Sequence, residues 1–304
     1  MSQIIKPTVT DVNILPNPTL LDAFRRIARV LWRNKKSRVG LLLMSVFILV
    51  ALFGPLISPY PLNDTNFQFM QGASARHWLG TTQNGQDVLT ELIYGTRISI
   101  LVTFAVGLLA SLLAMAIGVT AGYLRGWVDE VLSFLTNVFL VLPGLPLLIV
   151  IASYSPAKGM LIIILIIGFT SWPWGARVLR SQVVSLRTRD FVVAAVLAGD
   201  SMPRILIREI LPNMMSLVAA NFLGASLAGL LAAVGLEFLG FGDPSTVSWG
   251  SMLYWAQNSD AMLNGQWPWI IAPGLCIALF GTAMVLINFG LDELSNPSLG
   301  GEYA

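Results

Sequence analysis

The chain has 304 residues, of which 55% are hydrophobic and only 11% charged, and its formal net charge is +2. Soluble domains carry about 25% charged residues, so this composition excludes an ordinary soluble protein and predicts a polytopic membrane protein. The single cysteine, Cys276, excludes an internal disulfide and a cysteine metal site.

A polar tail, residues 1–38, precedes the first apolar run. A cleaved signal peptide has a shorter charged region and a shorter apolar core, so we interpret 39–57 as a retained first transmembrane helix. Runs of roughly 18 apolar residues can span a bilayer as helices. Six such runs predict an all-α membrane protein with six transmembrane helices: 39–57, 98–124, 131–152, 159–176, 214–236 and 270–289.

Lysine and arginine are distributed unequally between the two sides that these six spans define. Fifteen of the eighteen basic residues lie in the tail 1–38, at Arg125 and between 177 and 208. Cytoplasmic loops are enriched in basic residues. We therefore predict that the tail 1–38 and the C-terminal tail 293–304 are both cytoplasmic and that 58–97 is an external loop.

The external loop 58–97 contains a stretch, 85–94, with apolar residues at helical spacing. We expect this stretch to lie along the outer interface as an amphipathic helix before the second span, and the alternative is a plain connecting loop. The loop also holds the only histidine, His77, which has no cysteine, histidine or carboxylate cluster around it in sequence. We expect a structural role for this histidine.

The second external loop, 239–269, is rich in tryptophan. One interpretation is an interfacial aromatic belt, and the other is a lip against an external partner or a polar solute. Its four tryptophans are Trp249, Trp255, Trp267 and Trp269. Within the spans, Gly118 and Gly122 have the GxxxG spacing that lets helices approach closely.

Several kinds of chemistry are missing from the sequence. No predicted span carries a mid-membrane charge of the kind that forms proton relays or ion sites in coupled carriers. The chain has no G-x-x-x-x-G-K-[ST] phosphate loop, so we expect it to bind no ATP and to catalyse no reaction. Uphill transport would then take its energy from another polypeptide.

The segment 190–213, DFVVAAVLAGDSMPRILIREILPN, is too polar to span a bilayer. Residues 190–198 predict a short helix that Gly199 ends with a left-handed cap. Asp200 or Ser201 can cap a second helix that starts near Pro203. Such a helix–turn–helix suits insertion into a groove of a soluble partner, and the alternative is an amphipathic helix on lipid headgroups. The residues of the predicted docking loop are Asp190, Phe191, Ala194, Ala195, Gly199, Asp200, Ser201, Arg204, Arg208, Leu211 and Pro212.

This segment resembles the cytoplasmic "EAA" loop of ABC importer permeases, whose pattern is Glu-Ala-Ala, three residues, Gly, and then a hydrophobic-x-Leu-Pro ending. The residues that match in register are Ala194, Ala195, Gly199, Leu211 and Pro212. Val193 stands where the family most often has Glu, and Glu209 where an apolar residue is usual. The missing Glu removes one expected polar contact but leaves the helix–turn–helix shape.

Two other stretches narrow the resemblance to the dipeptide/oligopeptide/nickel group. "HWLGTTQNGQDVLTELIYGTRISI" is similar to the group's loop before the second span, H-x-LGTDxxGRDVLSRLIYGxRxS, with Gln83 and Gln86 as departures. "GFGDPSTVSWGSML" resembles the loop between its fifth and sixth spans. The resemblance runs from about residue 27 to 295 and indicates the second, C-type permease.

The resemblance implies a type I importer permease fold, with a transmembrane core over 98–292 and a coupling loop at about 187–212. It implies these partners: a second homologous permease, two cytoplasmic ATPases that use ATP and Mg²⁺, and an external solute-binding protein. Membrane lipid surrounds the chain, no nucleic acid is expected, and the location is the cell membrane of a prokaryote. Oligopeptides, dipeptides, oligosaccharides and nickel chelates all remain open as solutes, and a solitary secondary carrier or channel is the alternative class.

Overall fold

A computed structural model describes residues 19–155 and 158–295, and within these ranges the chain is helical, with an isolated Thr81–Asp87 bridge and no strand. The predicted all-α class is confirmed. The helices are α1 (Leu20–Arg33), α2 (Lys35–Ile57), α3 (Val88–Leu124), α4 (Gly126–Val141), α5 (Gly144–Tyr154), α6 (Met160–Leu186), α7 (Asp190–Leu197), α8 (Met202–Ile205), α9 (Leu211–Phe238), α10 (Trp249–Asn258) and α11 (Trp267–Ser295).

In the described part of the chain, five helical segments are long and apolar enough to cross a membrane: α2, α3, α6, α8 with α9, and α11. The sixth span is a bent pair. Helices α4 and α5 meet at 90° around Leu142, because a residue before a proline is driven out of the helical region and here Pro143 follows. The predicted span over 131–152 therefore corresponds to two helices with a break between them and not to one continuous helix.

The bent pair α4–α5 connects the two ends of the helix bundle. Just before it, the carbonyl of Tyr123 accepts a hydrogen bond from Arg187 Nη1 (2.8 Å), close to the start of α7. Just after it, Lys158 Nζ lies 3.5 Å from the carbonyl oxygen of Gly240, close to the end of α9. We call these the α7 end and the α10 end. Since the pair carries the chain from one end to the other, it is the candidate for the sixth span.

Helix α3 begins at Val88 and continues without a break to Leu124. The Asp87 side chain caps it by accepting from the Thr90 N–H (2.8 Å). The prediction of a separate interfacial helix over 85–94 is wrong, because Val88 is fully buried and nothing interrupts the helix before the apolar run. A 37-residue helix is about 55 Å long at roughly 1.5 Å per residue, so α3 extends well beyond a bilayer core.

Helix α8 continues into α9 through one π-helical turn, Leu206–Ile210. Pro212 lacks the N–H that would bond to the preceding turn, and the wider turn accommodates it without ending the helix. The predicted fifth span, 214–236, is only the C-terminal part of this helix. The helical segment Met202–Phe238 is continuous.

Small residues bring α3 close to α6, as the GxxxG spacing predicts. Gly118 lies against the backbone of Ala176, and Gly122 lies against Val183 and the carbonyl of Arg180. A side chain at either glycine would overlap α6, so both positions set the separation of the two helices.

The predicted polar tail contains a helix that the sequence interpretation missed. Helix α1 starts with a capping box, in which Thr19 and Asp22 bond each other's backbone. Ala23 is buried against the bundle, whereas Phe24 and Trp32 are exposed. Arginines occupy the remaining face, so α1 is a basic amphipathic helix at the α7 end, next to α9 and α11.

The four tryptophans of 239–269 differ in burial, and Trp255 is partly exposed. Trp249 and Trp269 are fully buried, and Trp249 donates from Nε1 to Thr96 Oγ1 (3.2 Å) and packs against Phe280. For these two the belt interpretation is wrong. Trp267 is half exposed, as a belt residue would be.

Candidate functional site

The predicted docking loop is a compact helix–turn–helix at the α7 end. Helix α7 ends at Leu197, and Gly199 adopts φ +83°, the left-handed conformation that glycine takes without strain. The Asp200 N–H then bonds the carbonyl of Ala195 (3.1 Å), which closes the turn. The predicted cap at Gly199 is confirmed in its geometry.

The second half of the turn differs in detail from the prediction. Ser201 occupies the cap position of α8, but its side chain makes no capping hydrogen bond. Asp200 also does not cap the helix. Its carboxylate instead pairs with Arg204 at 3.1 Å, one helical turn away, and both side chains are partly exposed.

One face of this loop is fixed to the membrane helices. Val192, Ile205 and Ile210 are almost fully buried, with 0–1% of each exposed, in a cluster that includes Leu179 and Val183 of α6. Phe191 and Ala195 pack at its border. Because α7, α8 and α6 share one close-packed cluster, a displacement of the loop is transmitted to the spans.

The opposite face of α7 is exposed and apolar. Leu197 is 83% exposed, and Val193 and Val196 are about half exposed. Ala194 is exposed between them, and Asp190 is exposed at the start of the helix. This small apolar surface, formed by Val193, Ala194, Val196 and Leu197, is called the α7 outer face below. Val193 therefore replaces the usual glutamate with a side chain that extends the apolar surface.

Three of the predicted loop residues lie outside the helix–turn–helix itself. Arg208 is exposed in the π-helical turn, and Leu211 and Pro212 start α9. Pro212 is buried beside α1 rather than presented to a partner.

Sequence reasoning missed the contacts that brace this end of the bundle. Arg180 of α6 makes a bidentate pair with Asp129 of α4, from Nε to Oδ1 (2.5 Å) and from Nη2 to Oδ2 (2.7 Å). Arg177 of α6 donates from Nη2 to Asn137 Oδ1 of α4 (2.7 Å). Each residue is unremarkable in its own segment. Only the packing of α4 on α6 makes them partners.

Comparisons with known proteins agree with this architecture. A family model described as "Binding-protein-dependent transport system inner membrane component" matches residues 114–300. A second, the "N-terminal TM domain of oligopeptide transport permease C", matches residues 23–74. The chain belongs to this family of ABC importer permeases.

Curated relatives place the permease in the dipeptide/oligopeptide group. It is 32% identical over 303 residues to the dipeptide transport system permease protein DppC of Alkalihalophilus pseudofirmus, covering 97% of both chains. It is 29% identical over 278 residues to the oligopeptide transport system permease protein OppC of Mycobacterium tuberculosis, covering 90% of this chain and 94% of that relative. A putative peptide transport system permease protein of Brucella abortus is 32% identical over 305 residues, covering 98% and 99%. The predicted C-type permease is thus confirmed.

Proposed function

We propose that this permease forms half of the translocation pathway of an ATP-driven, binding-protein-dependent peptide importer in a prokaryotic cell membrane. Its relatives are named as dipeptide, oligopeptide and peptide transport permeases, which supports peptides as the solute class. These relatives lend no support to the oligosaccharide alternative. ATP and Mg²⁺ are used by partner ATPases and not by this chain.

The α7 outer face carries the mechanistic part of this proposal. A Leu side chain that is 83% exposed on an otherwise well-packed loop gains free energy when a partner covers it, about 1.5–3 kcal/mol for full burial. We propose that a groove of a cytoplasmic ATPase covers the α7 outer face. The inner face of the same loop is packed on α6, so movement of the ATPase would displace α6 and the spans around it.

The orientation of the permease follows from its charges. Residues 19–38, Arg125 and 177–208, which hold most of the basic residues, all belong to the α7 end. By the bias of basic residues toward the cytoplasm, we propose that the α7 end faces the ATPases. The α10 end then faces the external solute-binding protein, and a second homologous permease completes the pathway.

Uptake in proteoliposomes tests the transport function. We expect a labelled dipeptide to accumulate only when this permease, its partner permease, both ATPases, the binding protein and ATP are all present. A solitary carrier or channel would instead let this permease alone transport the peptide at a comparable rate, and that result would contradict the proposal. A labelled oligosaccharide in the same assay tests the solute class.

Site-directed crosslinking tests the docking surface separately. In a Cys276→Ser background, Leu197→Cys should crosslink to an ATPase subunit. The matched control is Leu263→Cys, because Leu263 is an equally exposed leucine (87%) at the α10 end. Crosslinking of the ATPase to the control position and not to the α7 outer face would refute this assignment.

A further inference from the structure

A polar cavity of about 210 Å³ opens at the α10 end, between the loop that precedes α3 and the segment that leads into α10. It is smaller than the ~300–1,000 Å³ of typical drug-sized ligand sites. Its volume therefore suits a side-chain-sized group. The lining residues that matter here are Asn63, Asn84, Gln86, Glu91, Trp255 and Trp269.

Glu91 is the only charged residue among the described residues that line this cavity. Glu91 is 8% exposed, and none of the described residues hydrogen-bonds its carboxylate. Buried polar groups are normally hydrogen-bonded, and an unpaired buried charge is costly. The carboxylate of Glu91 therefore faces the cavity without a hydrogen-bond partner from the described residues.

The neighbouring carboxylates are satisfied, which makes Glu91 an exception. Asp87, one helical turn earlier, accepts from Thr90 and lies 2.9 Å from His77 Nδ1. Glu237, also 8% exposed, accepts from the Ser248 hydroxyl at 2.6 Å. The chain therefore supplies partners to buried acids at this end, but leaves Glu91 facing the cavity.

The rest of the lining fits an organic cation better than a metal ion. No group of three or more His, Cys, Asp or Glu residues able to hold a metal occurs in the described ranges. The cavity instead combines one carboxylate with side-chain amides and the partly exposed Trp255. Carboxylates bind guanidinium and ammonium groups through charge-assisted hydrogen bonds, and tryptophan faces attract the same cations.

We propose that this cavity is a binding site for a guanidinium or primary ammonium group, with Glu91 as its anionic partner. Two sources share this chemistry: a Lys or Arg side chain of an external protein, and a free solute that carries such a group. This site is separate from the transport function proposed above. It is a binding site at the α10 end, and its occupancy can be measured without transport.

Ligand-observed saturation-transfer NMR on the assembled permease complex in nanodiscs tests the site without ATP or transport. The probes are methylguanidinium and ethylammonium, with acetamide as a neutral probe of similar size. We expect saturation transfer to both cations in the unmodified complex and in Glu130→Gln, which removes an exposed carboxylate at the α7 end. Glu91→Gln should reduce the signal at least fivefold, and Glu91→Asp, which retains the charge, should keep more of it.

The outcomes separate the proposal from its alternatives. Equal signals in the unmodified complex and Glu91→Gln, no signal for either cation, or an equal signal for acetamide would overturn the site. Copurification of the ATPases with each variant checks that the assembly has folded. If Glu91→Gln weakens binding of the external solute-binding protein and methylguanidinium competes with that protein, the cation is a protein side chain. If Glu91→Gln leaves the affinity for the solute-binding protein unchanged but still abolishes binding of the small cations, the cation that occupies the site belongs to a free solute.

Discussion

Replacing Gly199 tests whether the geometry of the α7–α8 turn couples this permease to its ATPases. The residue has φ +83°, and nothing lies within 4 Å of the Cβ that a substitution would add. The penalty is therefore conformational and not steric. A left-handed backbone costs an ordinary L-residue about 1–2 kcal/mol, and a β-branched residue resists it more strongly. For Gly199→Val we expect about 2 kcal/mol, within the roughly 1–3 kcal/mol range for strained backbones.

A cost of about 2 kcal/mol shifts the equilibrium of the turn roughly thirtyfold, since about 1.4 kcal/mol corresponds to a factor of ten. The six spans do not depend on this turn, so Gly199→Val should still insert and assemble. Peptide uptake should fall, and the ATPase activity should lose its stimulation by loaded binding protein. Gly199→Asn should be much milder, because Asn tolerates the left-handed region.

The assay is uptake together with binding-protein-stimulated ATP hydrolysis in proteoliposomes, with assembly checked by copurification. Gly265→Val is the matched control. Gly265 also has a positive φ (+74°) and open surroundings, but it lies before α11 at the α10 end. Arg204→Ala should have a small effect, since an exposed ion pair such as Arg204–Asp200 contributes about 0–1 kcal/mol. Arg208 is exposed, so Arg208→Ala and the double arginine variant should also have small effects. If Gly199→Val transports normally while the double arginine variant does not, the loop lies on lipid headgroups and the docking argument fails.

Three further predictions concern the membrane-spanning part. A cysteine placed near Trp267 should react with an impermeant reagent outside intact cells while a C-terminal reporter stays protected; the reverse pattern would refute the proposed orientation. Gly118→Ala should lower the thermal unfolding midpoint, because its methyl group overlaps the α6 backbone and overpacking costs typically 1–3 kcal/mol. Gly224→Ala, with nothing within 4 Å, is its control and should be neutral or slightly stabilising. Asp129→Asn should destabilise the fold by only about 1 kcal/mol, because its arginine partner is 37% exposed; a midpoint drop larger than that of Gly118→Ala would show that this estimate of the ion pair is too low.

The sequence alone determined the helical class, most of the spans and the turn at Gly199. These features depend on local properties of the chain: a long apolar run can be satisfied in lipid only as a helix or a closed barrel, and a glycine after a short helix favours a left-handed cap. The family resemblance rested on motifs of the same local kind. It was confirmed because each motif is a contiguous stretch of residues.

Only the tertiary structure decided which residues meet across the bundle. The sequence allows Trp249 to be an interfacial residue, but it is buried because it contacts Thr96 of α3 and Phe280 of α11. Asp129 finds Arg180 only once α4 lies on α6. The cavity that Glu91 faces exists because the loop before α3 folds against the segment before α10. Such contacts join positions far apart in the chain, and no local pattern encodes them: they depend on how the helices pack, which is determined by the shapes of all their side chains together.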